Sequence, residues 1–188
     1  MSVKEVEKLD EETRKAVGRV AAEYKYALDF KKELQQIEQD NPEDALRDIK
    51  KGISILRWVG RAERRVDQSE RKILSTLEDL GEVLPENLKT ESEELSKELS
   101  VAEAKLVHLA SMFRGKVKQE LEDIKTDEAL LQKYHDNPSQ AEHLHTHLQG
   151  LFHSAKGHVD EMLQWIGTTQ AVLKKVIGFE ETLQRLSA

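Results

Sequence analysis

Only three prolines, Pro42, Pro85 and Pro138, interrupt a chain of 188 residues whose apolar side chains otherwise recur every three or four positions. A strand buries alternate residues, whereas a spacing of three and four lines up one stripe of a helix. Proline disfavours a helix running into it and is welcome in a helix's first turn. The sequence therefore predicts four helices, broken at Asp40-Asn41-Pro42, at Gly81 to Asn87 and at Asp136-Asn137-Pro138. The Asn ahead of each outer proline is expected to cap the helix that follows, by accepting from its free N–H groups.

The first stripe includes Val6, Leu9, Ala16, Val20, Ala27, Leu34 and Ile37. The second includes Leu46, Ile49, Ile53, Leu56, Gly60, Ile73 and Leu77. Leu95, Leu99, Leu106, Phe113, Val117 and Ile124 mark the third, and Leu144, Leu148, Ala155, Met162, Ile166 and Leu173 the fourth. Short turns make consecutive helices antiparallel neighbours. The expected fold is all-α: an antiparallel up-down bundle of four long helices.

Three local matches relate the two halves. Lys31-Lys32-Glu33-Leu34 resembles Lys118-Gln119-Glu120-Leu121, Asp40-Asn41-Pro42 matches Asp136-Asn137-Pro138, and Leu56-Arg57-Trp58-Val59-Gly60 resembles Leu163-Gln164-Trp165-Ile166-Gly167. Their offsets are 87, 96 and 107, so the second half gains 9 residues before its turn and 11 after it. Near-equal gains on both arms are what lengthening a hairpin at its tip requires. The chain reads as two duplicated helical hairpins, residues 1–81 and 88–188, in one structural domain, with the second hairpin longer at its tip. Gly150, Gly157, Gly167 and Gly178 fall in the last helix, and close helix–helix approach is the expected reason for them.

Charged residues make up 35% of the chain and aromatic residues 5%, which suits long solvated helices better than a sandwich or barrel. With no cysteine, disulfides, thiolate metal sites and cysteine nucleophiles are excluded. The first ten residues alternate charge with Val and Leu and lack the apolar core of a signal peptide. No apolar run is long enough to span a membrane. A cytoplasmic location is the expectation. The net charge of −7 argues against a general nucleic-acid binder.

Five of the seven histidines, His135, His143, His145, His147 and His153, lie around the second hairpin's tip. His143 and His147 are four residues apart and share a helix face, so they could chelate a divalent transition metal such as zinc. His135 and Asp136, across the turn, could complete a set of three or four ligands. The bland alternative is a solvated polar tip. Glu142 and His145 have the spacing of one half of a di-iron site, but no second pair exists.

Ile55, Trp58, Val59 and Ala62 lie opposite the second helix's main stripe, making residues 52–60 apolar on most sides. Such a helix is buried all round, either in the bundle's own core or against a partner through Ile55, Trp58, Val59 and the matching Trp165. From Arg47 to Lys72 there are nine Lys or Arg against four acids, and from Thr76 to Glu103 nine acids against two lysines. These segments are expected to neighbour and pair. Otherwise Arg57, Arg61, Arg64 and Arg65 form a basic strip for an anionic partner.

No nucleophile elbow, dinucleotide fingerprint or phosphate-binding loop occurs. The reading is a non-enzymatic interaction or scaffolding protein presenting an extended hairpin tip, with a protein partner or itself as a homodimer. The alternatives are a metal-binding protein using the tip histidines and a binder of an anionic partner through the second helix.

Overall fold

A computed structural model of the chain describes residues 3–187. Residues 1, 2 and 188, the outer limits of the two expected hairpins, lie outside the described residues. Helix α1 spans Val3–Ile37, a short 3-10 turn Pro42–Asp44, α2 Ala45–Gly81, α3 Glu86–Lys133 and α4 Pro138–Ser187. The fold is an antiparallel bundle of these four helices.

The helices begin and end where the prolines direct, but their caps differ. Asn137 caps α4 as expected, its Oδ1 accepting from the Gln140 N–H at 3.3 Å. Asn41 does not cap: its side chain makes no such bond, and its backbone is extended (φ −82°, ψ 162°), the conformation favoured before proline. The chain there turns through Pro42–Asp44 before α2 starts at Ala45. Asp40, the neighbouring acid, is held by Arg47 at 2.6 Å instead.

Helices α1 and α2 have 35 and 37 residues and α3 and α4 have 48 and 50, so each arm of the second hairpin is longer by 13. Helix α4 stays unbroken through Gly150, Gly157, Gly167 and Gly178. Close approach does not explain three of these glycines: a Cβ at 150, 157 or 178 would meet no atom within 4 Å, and only Gly167 faces a neighbour, Tyr24, at 3.7 Å.

The helices pack as two compact units, each drawing on all four. The first takes the described residues through Lys25, Glu63–His108 and those from Gln164 onward. Val20, Ile73, Leu99, Ile166 and Phe179 lie in its core. Glu23–Arg65 and Lys8–Asp79 pairs run α1 antiparallel to α2, and Glu98–Lys175 ties α3 to α4. Buried Ser92 donates to the Leu77 carbonyl at 3.2 Å, closing α2 onto α3.

The second unit comprises Tyr26–Ala62 and Leu109–Leu163. Leu34, Ile55, Leu56, Ile124, Phe152 and Met162 are fully buried or nearly so. Gly52 gives the ring room here, because a Cβ on it would overlap the buried Phe152 ring and press on Ile124. Trp58 is 7% exposed and packs against Phe30, ring centroids 5.4 Å apart. Gln149 on α4 donates to the carbonyl of Ile37, the last residue of α1. Helix α4 starts at Pro138, so about 17 Å of it precedes that level at 1.5 Å per residue. Leu46 and Gly60, expected on the second stripe, are exposed, while Ile55, Trp58 and Val59 on the opposite flank are buried.

Candidate functional site

Buried carboxylates organise the interior of both units. On α3 the buried stripe Phe113, Val117, Ile124 and Leu131 also contains Glu120 and Asp127, at the same spacing of three and four. Each meets a histidine of α4 within the second unit. Asp127 Oδ2 lies 2.5 Å from His147 Nδ1, and the His158 Nε2 lies 3.0 and 3.1 Å from the two carboxylate oxygens of Glu120. Ser154 donates to Glu120 at 2.5 Å, and the His158 ring packs tilted against Phe113, ring centroids 4.3 Å apart.

Serine, carboxylate and histidine side by side invite comparison with a catalytic triad, but the order is wrong. A triad places the imidazole between serine and acid, where it can take the hydroxyl proton. Here the carboxylate sits in the middle, so the serine hydroxyl is tied to an acceptor and not activated. The cluster satisfies buried polar groups and fixes the level of α3 against α4, a role polar core residues serve in coiled coils.

The tip histidines are dispersed. His143 is exposed, His135 and Asp136 pair with each other at 3.1 Å in the exposed α3–α4 connection, and His147 turns to Asp127. His153 reaches towards Glu38, 3.9 Å away. Among the described residues, no group of three or more His, Cys, Asp or Glu is gathered as a metal ion would need. The histidine partners Glu120 and Asp127 were missed in the sequence, although charged residues on an apolar stripe were the available signal.

Ile55, Trp58 and Val59 are core residues of the second unit and offer no free surface. Trp165 is half-buried in the first unit, with the Lys105 ammonium 5.4 Å from its ring centroid.

Among the described residues, the expected pairing of basic α2 with the acidic start of α3 is confined to Arg71–Glu103, at 3.0 Å. Arg65 pairs with Glu23 of α1 at 2.7 Å, and Arg47 with Asp40, Asp44 and Asp48 beside it. The reason is level. Gly60 of α2 lies against Val117 of α3, so Arg57 and Arg61 stand level with a stretch of α3 well past its acidic start. That stretch is itself basic. Arg57, Arg61, Arg114, Lys116 and Lys118 are exposed, lie within about one turn of the Gly60–Val117 contact, and form no ion pair among the described residues. Arg57 and Arg61, four apart on one helix, repel each other. Arg64, also exposed and without an ion pair among the described residues, belongs to the first unit.

In the first unit Glu70 of α2 is 1% exposed. One carboxyl oxygen is 2.7 Å from Thr169 Oγ1 on α4, and the other has no hydrogen-bond partner. Glu180 of α4 faces Thr13 of α1 and also has an unpartnered oxygen; burial pushes its carboxyl above the usual range.

No protein-family model, curated protein or solved structure matches this chain. No helix among the described residues is long and apolar enough to cross a membrane.

Proposed function

We propose that this protein is a non-enzymatic helical-bundle interaction protein that takes an acidic protein segment on the α2–α3 face of its second unit. The observation that carries the reading is the set of exposed cations Arg57, Arg61, Arg114 and Lys118, without ion pairs among the described residues. In a chain of net charge −7, acids to neutralise them are plentiful, yet the nearby Glu120 is buried against His158. Repulsion between like charges four apart costs a helix about 0.2–0.5 kcal/mol per pair, which a bound anion relieves. An acidic protein fits better than RNA, because Trp58 and Phe113, the aromatic residues next to Arg57 and Arg114 in the chain, are buried and cannot stack on a base.

The test is fluorescence anisotropy with a labelled Glu/Asp-rich peptide of about twenty residues, across a salt series. Binding that weakens with salt and is lost in the Arg57→Glu/Arg61→Glu variant supports the proposal. Binding unchanged by those substitutions overturns it, and preferential binding of single-stranded RNA or anionic vesicles would reassign the partner.

A second surface is the end of the long hairpin, where α4 runs from Pro138 before reaching the level of Ile37. Its exposed polar residues, His143 among them, are presented away from the end of α1. They would serve a partner protein or a second copy of the chain, so light scattering at high concentration accompanies the peptide experiment.

A further inference from the structure

Glu70 is buried in the first unit without a cation. The guanidinium that could have served it, Arg71, is engaged by Asp67 at 2.9 Å and Glu103 at 3.0 Å. Among the described residues the only polar atom bonded to the Glu70 side chain is Thr169 Oγ1, which also lies 3.2 Å from the Trp165 carbonyl. A hydroxyl has one hydrogen to give. If Glu70 is ionised, Thr169 must choose between carboxylate and carbonyl, and the second carboxylate oxygen holds its charge in the interior with no donor. If Glu70 is protonated, its O–H donates to Thr169, Thr169 donates to Trp165, and the unpartnered atom is an uncharged carbonyl oxygen. The second arrangement satisfies every hydrogen and strands no charge.

We propose that Glu70 is a proton-operated latch between α2 and α4 of the first unit, closed as the neutral acid bonded to Thr169 and loosened when the carboxylate forms. The surroundings agree. Burial is the largest influence on this carboxyl and raises its pKa; a Thr169 donor would lower it; Asp67 and Glu63 on α2 and Glu103 on α3 raise it further. Together they push it up to about 7. Helix α4 faces it with the non-titrating Thr169, and the buried carboxylate of α1 in this unit, Glu23, is held by Arg65.

The sign follows from proton linkage. The folded pKa of about 7 lies above the ordinary 4.5, so the native state binds the extra proton between those values. The stabilisation is complete below about pH 4.5 and is lost as pH rises through about 7. Within that window the unfolding constant rises up to about tenfold per pH unit, and above it this group adds no further change. Ionisation near neutrality would release the α2–α4 seam without unfolding the chain.

The experiment is a carboxyl-carbon NMR titration of the full chain from pH 5 to 9, with the Glu70 resonance assigned by its absence in Glu70→Gln. Hydrogen exchange of both proteins, corrected for intrinsic rates, is measured at pH 6 and 8. Glutamine mimics the neutral acid and cannot ionise. A midpoint near 7, with protection around Glu70 and Thr169 falling at pH 8 in the wild type but not in the variant, supports the latch. A midpoint in the ordinary carboxylate range overturns it, as does a midpoint near 7 with protection unchanged. Should Glu70→Gln not fold, a wild-type glutamate resonance titrating near 7 together with loss of protection at pH 8 supports the proposal, and the lack of either overturns it.

Discussion

His158 on α4 places its Nε2 between the two carboxylate oxygens of Glu120 on α3, 3.0 and 3.1 Å away. Both side chains are largely buried, so each is the principal answer to the other's loss of water. Removing one partner is expected to cost far more than replacing both. Glu120→Ala leaves His158 and Ser154 without their acceptor and should destabilise by about 3 kcal/mol. A double change to apolar residues of similar volume should recover most of that. Urea denaturation of Glu120→Ala, of a single apolar replacement of His158 and of the double variant checks it, and a double-variant loss equal to the sum of the two single losses would show that the pair is not coupled.

Two glycine-to-alanine changes should move stability in opposite directions. At Gly18 the side chain meets nothing within 4 Å, so better helix propensity should stabilise by up to about 1 kcal/mol. At Gly52 the added Cβ overlaps Phe152, a fully buried ring with nowhere to retreat. Overpacking there should exceed the propensity gain and leave a net loss of about 1–2 kcal/mol. Thermal melts of the two variants distinguish the signs.

The two tryptophans should behave differently despite their matching sequence contexts. Trp58 is 7% exposed against Phe30, whereas Trp165 is half-buried beneath Lys105. In single-tryptophan variants, emission from Trp58 should be bluer and less accessible to an ionic quencher. Trp58→Ala should cost about 3–5 kcal/mol and Trp165→Ala roughly 1–2 kcal/mol. Equal quenching would contradict the assigned burial.

Zinc should bind weakly. His147 is turned to Asp127, and among the described residues no three donors converge. Calorimetric titration of chelator-stripped protein should give no stoichiometric submicromolar site. Tight binding that disappears in the His143→Ala/His147→Ala variant would return the tip to the status of a metal centre.

Much of the fold was legible because it depends on local rules. A proline ends a helix that runs into it and is accepted in the first turn of the next, and spacings of three and four bury one stripe whatever the partner. The capping of α4 by Asn137 also follows from adjacent residues. The candidate sites were less legible. His143 and His147 share a helix face, but their chemistry depends on what stands opposite, and there α3 presents Asp127 to His147 and not further ligands.

Sequence alone determined four helices, their breaks and most of the buried stripes, because backbone geometry and apolar periodicity act within a few residues. Tertiary structure decided which helices stand level with which. That placed Gly60 against Val117, so the basic stretch of α2 met a basic stretch of α3 and not its acidic start. It also set Glu120 beside His158 and left Glu70 with Thr169 for its hydrogen-bond partner. Charges and hydrogen bonds are satisfied over a few ångströms, so their partners are fixed by packing between distant segments and not by composition.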